Sequence, residues 1–513
     1  MTLTVMKPTA CWLLLVVVAV AAFGLRVIQL DRRPMHHDEA NQAVRTGLLQ
    51  ETGVYHYDPQ DHHGPTLYYL TAPLLHLSCG RDFSGTTETL FRLVPVLFGV
   101  GLILLLAWIV DGLGWPAVLV SAGLTAISPA MVYYSRYFVH EMLFVFFTSG
   151  CLIALWRWTR TGTLRWAVAT GVMAGLMFAT KETCVITFFS MVVALEVAGV
   201  WSGSRRGVLM SSRLRPAHVV LGGVAALVVA GMFYSSFFTH SQGLADSVQA
   251  YRSYFIKGVS SGNHTHPWSY YWHLLGWFRE GQGPVFSEGL ILALAAIGAG
   301  FILMRRPIGS ADPALLRFLL VYTVLMIVIY SAIAHKSPWL ILSFLHGLIL
   351  LAGIGAVALV GSLRRRSWKV AASLLLLAGA IQLTVQSWRC NFQYESDPRN
   401  PYAYVQTSRD FLKLVKRVQD VAGLNEIIAV VSNDHDAWPL PWYLRKFRQA
   451  GYWQNASDMP AGLKPAVIVT SMDRDQPLDG YQAEIYGLRP GTLLNLHIRN
   501  DLWAAFLSRQ ENQ

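Results

Sequence analysis

Long apolar runs recur along most of the chain, and short polar or basic segments separate them. A helix needs about 20 mostly apolar residues to cross a bilayer, and about eleven runs approach that length. They cover residues 10–30, 90–110, 116–134, 141–157, 165–180, 183–200, 217–238, 287–304, 314–334, 338–361 and 369–387. The pattern predicts a polytopic α-helical membrane protein with about eleven transmembrane helices.

Basic residues mark the side of the membrane on which each connection lies. If the N-terminus is cytoplasmic, the even-numbered connections contain most of the arginines, as the positive-inside rule requires. These connections contain Arg157, Arg160 and Arg165; Arg205, Arg206, Arg213 and Arg215; Arg305, Arg306 and Arg317; and Arg364, Arg365, Arg366 and Lys369. We therefore predict a multi-pass protein of the cell membrane with a cytoplasmic N-terminus. A cleaved signal peptide is the alternative for the first run, although that run is long for one.

Composition agrees with a membrane protein and excludes several other classes. Charged residues make up 14% of the 513 residues, against about 25% in soluble domains, which leaves too little charge to cover a soluble fold. The net charge of +11 is spread over short loops, so no basic patch predicts a nucleic-acid partner. Five cysteines exclude a disulfide scaffold, and only Cys79 and Cys390 lie in predicted outer segments. A bridge between these two is an alternative to free thiols.

Two long outer loops and a tail interrupt the membrane pattern. The loops cover residues 31–91 and 239–287, far more than usually joins neighbouring helices. The tail, residues 388–513, has a soluble composition in which apolar runs at 427–431 and 466–470 alternate with helix-like stretches such as 410–421. We predict a transmembrane domain over residues 1–387 and a C-terminal extracytoplasmic α/β domain over residues 388–513.

A cluster of ionisable residues follows the first span directly. His36, His37, Asp38 and Glu39 precede a helix-like stretch at 40–49. An aspartate just before a helix is a common N-cap, which is a purely structural alternative for Asp38. A general base is a carboxylate or imidazole held rigidly beside the group that it deprotonates. We predict Asp38 as a general base and Glu39 as a second catalytic residue.

The same loop contains further groups that bind divalent cations. His37, Asp58 and His62 supply nitrogen and oxygen ligands, although no spacing matches a defined metal motif. Hydrogen-bonded turn residues around Gly64 and Pro65 are the alternative for His62 and His63. A bound divalent metal ion therefore stays an open alternative, and no other cofactor is predicted.

Ionisable residues also gather at the outer ends of other predicted spans. Such groups are costly near the membrane and are often functional. Cations among them would stabilise a phosphate whose charge grows as it leaves. The residues that we predict to bind substrate are Tyr57, His63, Arg136, Glu141, Lys181, Glu182, His335 and Lys336. For Arg136, a snorkelling side chain paired with Glu141 is the structural alternative.

Motifs at these positions resemble the GT-C class of membrane glycosyltransferases, which includes the protein O-mannosyltransferases and the lipid A aminoarabinose transferases. In that class a carboxylate in the first long outer loop is the expected base, and Asp38 matches it. The motifs are most similar to a branch called flippase activity-associated proteins. The matching segments are His37-Asp38-Glu39-Ala40, Tyr57-Asp58-Pro59, His63-Gly64-Pro65, Ser135-Arg136, Ala179-Thr180-Lys181-Glu182, Lys336-Ser337-Pro338-Trp339, Asn400-Pro401-Tyr402-Ala403-Tyr404 and Trp438-Pro439-Leu440-Pro441-Trp442-Tyr443.

The resemblance implies transfer of a sugar from a polyprenyl-phosphate donor to an acceptor on the outer face of the membrane, usually with inversion. The acceptor would be a protein, a lipid or a polysaccharide. Asp38 would deprotonate the acceptor hydroxyl while Arg136, Lys181 or Lys336 neutralises the departing lipid phosphate.

Two other classes of function are alternatives to an enzyme. The chain could be a non-catalytic subunit of a glycolipid flippase or transporter, or a scaffold whose tail binds partners. Transporters place polar residues near mid-membrane and have paired halves. Here the ionisable residues lie at the ends of the runs and no matching half is visible, which favours the enzyme. The segment Trp438 to Tyr443 fits a packed turn and a carbohydrate-stacking surface equally well.

Overall fold

The computed structural model describes residues 7–60, 63–203, 215–259 and 264–511. The chain divides into two compact units. The first comprises Met1–Ile28, Val54–Thr71 and Arg92–Gln393, and the second comprises Gln29–Gly53, Ala72–Phe91 and Tyr394–Gln513. The C-terminal segment therefore folds together with two pieces of the predicted first outer loop.

The described residues form 21 α-helices and five strands. The helices are α1 (Pro8–Val27), α2 (His37–Thr52), α3 (Thr66–Cys79), α4 (Glu88–Leu105), α5 (Val110–Leu113), α6 (Trp115–Ile127), α7 (Pro129–Ser135), α8 (Glu141–Thr161), α9 (Leu164–Phe178), α10 (Cys184–Trp201), α11 (Pro216–Tyr234), α12 (Gln242–Val259), α13 (Tyr270–Gly276), α14 (Gly289–Leu303), α15 (Pro313–Ala332), α16 (Leu342–Ser362), α17 (Arg366–Trp388), α18 (Arg409–Val421), α19 (Asp434–Ala437), α20 (Leu440–Tyr443) and α21 (Asn500–Glu511). The strands are β1 (Ile427–Val431), β2 (Gln449–Trp453), β3 (Val467–Ser471), β4 (Tyr481–Arg489) and β5 (Thr492–Arg499).

Each of the eleven predicted apolar runs is helical, which confirms a multi-pass helical membrane protein. Within the described ranges, eight helical segments are long and apolar enough to cross a bilayer. A ninth is formed if α6 and α7, which meet at a 62° bend, are one span. Helices α9 and α14 are apolar but have 15 residues each, short of the roughly 20 that a span needs. The predicted count of eleven transmembrane helices is therefore not confirmed.

The bend between α6 and α7 leaves helix-end carbonyls without partners in their own helix. Pro129 has no N–H group and begins a new helix, so the last carbonyls of α6 need other donors. The fully buried guanidinium of Arg26 supplies them, donating to the carbonyl oxygens of Thr125 at 2.8 Å and Ala126 at 3.0 Å. A cation at the C-terminal end of a helix also complements the helix dipole.

A buried carboxylate satisfies the other side of the same bend. Oε1 of Glu288 accepts hydrogen bonds from the Ser128 hydroxyl at 2.9 Å and from the Ala130 amide at 3.0 Å, where α7 begins. An anion at a helix N-terminus is stabilised by the amides and by the dipole. The two ends of the broken helix pair are thus held by charges of opposite sign.

Replacing Arg26 with methionine is expected to lower the apparent melting temperature clearly. Methionine fills similar space but leaves two buried carbonyls unsatisfied, a loss of about 2–4 kcal/mol in the free energy of unfolding. Thermal unfolding of the purified protein in detergent measures the effect. Arg165→Met, at an exposed arginine of α9, is the matched control and should unfold close to wild type.

The second unit contains a five-stranded sheet in the order β2-β1-β3-β5-β4. Strand β1 is parallel to β2 and β3, whereas β5 is antiparallel to β3 and β4. Helix α18 places apolar residues at helical spacing on one face, and these join the core of the unit. They are Phe411, Leu414, Val415, Val418 and Val421. The predicted C-terminal α/β fold is confirmed.

Among the described residues no disulfide joins Cys79 to Cys390, so the alternative of a bridge between them is not realised.

Candidate functional site

Helix α2 begins with an N-cap that is not an aspartate. His36 occupies the N-cap position, and its Nδ1 accepts a hydrogen bond from the Asp38 amide at 3.0 Å. The Glu39 carboxylate accepts one in return from the His36 amide at 3.2 Å, which completes a capping box. Burial lowers the pKa of His36 to about 4, so the ring is neutral near pH 7 and can accept this bond. The structural alternative for Asp38 as the N-cap is therefore wrong.

Asp38 lies one residue inside the helix with its carboxylate partly exposed. The side chain is 38% accessible, and the carboxylate lies 3.9 Å from the His36 ring nitrogen. Glu39, by contrast, is fully buried and forms an ion pair with Arg33 at 3.6 Å. Asp38 is thus accessible to solvent, whereas Glu39 is part of the buried contacts that hold the helix start.

Side chains of the C-terminal segment fix the residues that precede α2. The Tyr443 hydroxyl oxygen accepts a hydrogen bond from the Met35 amide at 2.9 Å, and Gln406 donates one to the Pro34 carbonyl at 2.9 Å. Trp442 is fully buried and donates to Glu88 at 2.9 Å. The second half of the Trp438 to Tyr443 segment is therefore packed, and it positions the start of α2.

A second group of predicted residues comes together in the first unit, around Glu182. Its carboxylate lies 2.8 Å from Nδ1 of His63 and accepts a hydrogen bond from the Tyr57 hydroxyl at 3.2 Å. Burial raises the pKa of Glu182, but His63 and Lys181 outweigh it, and the net pKa is lowered. Burial and the Glu182 carboxylate raise the pKa of Tyr57, which keeps the phenol protonated as the donor.

Lys181 and Glu141 form a buried ion pair beside this group. Lys181 lies in the turn between α9 and α10, and Glu141 is the first residue of α8. An ammonium has three N–H donors. Within the described part of the chain, Glu141 is the hydrogen-bond partner of Nζ, so this cation has donors left for a ligand.

Close backbone contact holds His63 in place. The Gly64 carbonyl lies 2.9 Å from Nε2 of His140, and the Thr66 amide donates to the Ala179 carbonyl at 3.2 Å. A side chain at Gly64 would collide with the Ala179 carbonyl, so only glycine permits this approach. The glycine in the predicted His63-Gly64-Pro65 motif thus has a structural cause.

The other predicted cations already contact backbone carbonyls. The Arg136 guanidinium donates to the carbonyls of Leu25, Arg26 and Ile28 at 3.3, 3.0 and 2.7 Å, at the C-terminal end of α1. Nζ of Lys336 donates to the carbonyls of His266, at 3.0 Å, and Ile333. Arg136 therefore holds the C-terminal end of α1, and Lys336 holds the loop in which it lies.

His335 lies on an exposed loop beside His264, whose ring centre is 5.2 Å away. Asp58 is also exposed, and its carboxylate accepts a hydrogen bond from the Gln60 amide in a tight turn. His62 lies outside the described residues. Among the described residues, no group of three or more His, Cys, Asp or Glu side chains could hold a metal ion. The predicted metal ligands thus stay a prediction.

Glutamine at position 182 tests the lowered pKa of the carboxyl group. Because the folded-state pKa lies below that of an unfolded glutamate, ionised Glu182 stabilises the fold above the unfolded value. That contribution is lost as the pH falls through the folded pKa. We expect Glu182→Gln to lower the apparent melting temperature at pH 7, with a difference from wild type that shrinks on acidification. Melting curves across a pH series measure it, and a difference that grows at low pH would contradict the assignment.

Comparison with known proteins identifies the fold. Residues 62–234 match the family model described as dolichyl-phosphate-mannose-protein mannosyltransferase. No curated protein sequence matches the chain. Nothing in these comparisons shows the flippase activity-associated family that the short motifs resemble.

Solved structures match almost the whole chain. ArnT from Cupriavidus metallidurans bound to undecaprenyl phosphate is 16% identical, with a TM-score of 0.62 over 96% of this chain and 98% of ArnT. The apo state of ArnT, also 16% identical, has a TM-score of 0.64 over 97% of this chain and 99% of ArnT. The oligosaccharyltransferase AglB from Archaeoglobus fulgidus, in complex with an inhibitory peptide and a dolichol-phosphate, is 12% identical. Its TM-score is 0.58 over 94% of this chain and 74% of AglB. The chain therefore has the fold of the GT-C class.

Proposed function

We propose that this protein is a membrane glycosyltransferase that uses a polyprenyl-phosphate-linked sugar as donor. The observation that carries the proposal is the partly exposed Asp38 carboxylate, held at the start of α2 by a helix cap to which its own side chain does not contribute. The GT-C fold supports the proposal. So do the ligands of two structures with that fold, undecaprenyl phosphate in ArnT and a dolichol-phosphate in AglB.

In the proposed reaction, Asp38 takes the proton of an acceptor hydroxyl. The hydroxyl oxygen attacks the anomeric carbon of the donor sugar as the bond from that carbon to the phosphate oxygen breaks. The electron pair leaves with the polyprenyl phosphate, and the proton remains on Asp38 until it passes to solvent. The products are the glycosylated acceptor and free polyprenyl phosphate.

Lys181 is the proposed contact for the departing phosphate. Its ammonium is buried and keeps donors beyond the Glu141 pair, so it can neutralise growing negative charge in a site of low dielectric. Glu182, His63 and Tyr57 would hold the turn that carries it. Arg136 and Lys336 take supporting roles in this proposal, because their donors already hold backbone carbonyls.

We further propose that the reaction takes place on the outer face of the cell membrane. The arginine-rich connections support a cytoplasmic N-terminus and a C-terminal α/β segment outside the membrane. The acceptor of the sugar would be a protein, a lipid or a polysaccharide.

Lipids that co-purify with the protein test the proposal. Wild type and Asp38→Asn are purified from native membranes, and their bound lipids are identified by mass spectrometry. An enzyme blocked before proton transfer should retain its donor, so a polyprenyl-phosphate-linked sugar should be enriched several-fold on Asp38→Asn. Equal loading of both proteins with a lipid-linked oligosaccharide would favour the flippase subunit, and absence of any such lipid would favour a scaffold.

A further inference from the structure

The loop that follows strand β1 presents two ring side chains from a rigid frame. Asn433 caps α19 through the Asp436 amide at 2.8 Å, and its side-chain amide donates to the Asp436 carboxylate at 2.8 Å. Arg489 forms an ion pair with the same carboxylate. This network fixes the backbone that carries His435 and Trp438. Such loops at the carboxyl ends of parallel strands are common places for ligand sites.

Both rings lie against the residue next to Asp38. The ring centre of His37 is 4.9 Å from that of His435 and 5.9 Å from that of Trp438, and the planes are tilted by 44° and 50°. His435 is exposed, while His37, Asp38 and Trp438 are partly exposed. Two imidazoles, an indole and a carboxylate therefore share one accessible patch of the second unit.

The patch has hydrogen-bonding capacity that the protein itself does not use. Nδ1 of His37 is buried and has no hydrogen-bond partner among the described residues. A buried ring nitrogen without a partner costs about 1–3 kcal/mol unless a ligand or water satisfies it. The exposed His435 ring adds further hydrogen-bonding nitrogens to the patch.

We infer that His37, His435 and Trp438 form the acceptor subsite beside Asp38, and that this subsite takes a sugar ring. The inference rests on the proposed function, since it needs Asp38 as the base. A sugar packs the apolar face of its ring on an aromatic side chain, and its hydroxyls bond to imidazole and carboxylate groups. A peptide acceptor bound through its main chain would need a row of backbone donors and acceptors, which these three side chains do not supply.

The test uses the lipid analysis of Asp38→Asn and needs no identified acceptor. If the acceptor cannot bind, the donor is not consumed, so Trp438→Ala and His435→Ala should carry as much donor lipid as Asp38→Asn. Trp438→Phe and His435→Gln, which keep the aromatic face and a hydrogen-bonding group, should return towards the wild-type level. Tyr452→Ala and His76→Ala change exposed residues of the second unit outside the patch, and both should resemble wild type.

The outcomes separate the two proposals. If Asp38→Asn retains no donor, the proposed function fails. If it does retain donor but Trp438→Ala and His435→Ala resemble wild type, the function stands and the subsite is wrong. Donor accumulation in Trp438→Ala that comes with a melting temperature clearly below that of Trp438→Phe would also overturn the subsite, because it indicates a structural role.

The chemical class of the acceptor is read from the same samples. A second sugar-bearing molecule should be bound to Asp38→Asn and absent from Asp38→Asn/Trp438→Ala. If this molecule is extracted into the organic phase, the acceptor is a glycolipid whose headgroup supplies the sugar. If it stays in the aqueous phase, the acceptor is a glycan chain. A peptide that is bound to Asp38→Asn and lost from the double variant would contradict a sugar acceptor.

Discussion

Replacing Asp38 with asparagine is expected to lower the rate of sugar transfer by about 10²–10⁴-fold, the usual contribution of a general base. Asparagine has nearly the same shape but cannot accept the proton of the acceptor hydroxyl. The helix start should remain intact, because its cap consists of the His36 ring and the Glu39 carboxylate. The initial rate in native-membrane vesicles, corrected for the amount of folded protein, measures the loss.

A matched variant separates lost chemistry from a general effect of the substitution. Asp82→Asn makes the same change in the same unit, at an exposed residue whose side chain accepts a hydrogen bond from the Ser84 amide. Its rate and melting temperature should resemble those of wild type. A rate near that of wild type in Asp38→Asn would exclude Asp38 as the base.

Removal of the Lys181 charge is expected to have the largest effect on stability. Lys181→Met leaves the Glu141 carboxylate buried without its cation, which costs about 3–5 kcal/mol in the free energy of unfolding. The double variant Lys181→Met/Glu141→Gln removes both charges and should regain most of the melting temperature. Lys369→Met, at a partly exposed lysine of α17, is the control and should unfold like wild type.

The double variant also separates the structural role of Lys181 from its proposed role toward the donor. If Lys181 contacts the donor phosphate, the double variant should fold normally, yet Asp38→Asn should retain little polyprenyl-phosphate sugar when the double variant is combined with it. Recovery of both stability and bound donor would mean that the lysine serves only the ion pair.

The helical class could be predicted from the sequence because apolar runs determine which segments can cross a bilayer. The number of transmembrane helices could not, since α9 and α14 are mostly apolar but only 15 residues long. The bend at Ser128 could have been predicted from the proline that follows it. Arg26 and Glu288 had a signal too, because a charge within or beside an apolar run needs a partner. Which carbonyls and amides they bind depends on contacts across more than 90 residues.

A helix was predicted at residues 40–49 and lies at His37–Thr52, and the structural alternative that made Asp38 its N-cap is wrong. Aspartate is a common N-cap and histidine is not, so composition favoured Asp38. The glutamate three residues after His36 was the signal for a capping box starting at His36.

The patch beside Asp38 could not be assembled from the sequence. His435 and Trp438 lie about 400 residues after His37, and no periodicity connects segments that far apart. The Trp438 to Tyr443 segment was predicted to be either a packed turn or a carbohydrate-stacking surface, and its two halves differ. Trp442 is buried in the core, whereas Trp438 is partly exposed beside His37.

The most direct test of the central claim is whether the purified wild-type protein breaks the bond between sugar and lipid phosphate. Liposomes are prepared from the lipids of the native membrane, with its other glycans and proteins added as acceptors, and free polyprenyl phosphate is followed by mass spectrometry. We predict that wild type converts polyprenyl-phosphate-linked sugar into polyprenyl phosphate and that Asp38→Asn does not. Equal amounts of polyprenyl phosphate with wild type, with Asp38→Asn and without protein would contradict a glycosyltransferase.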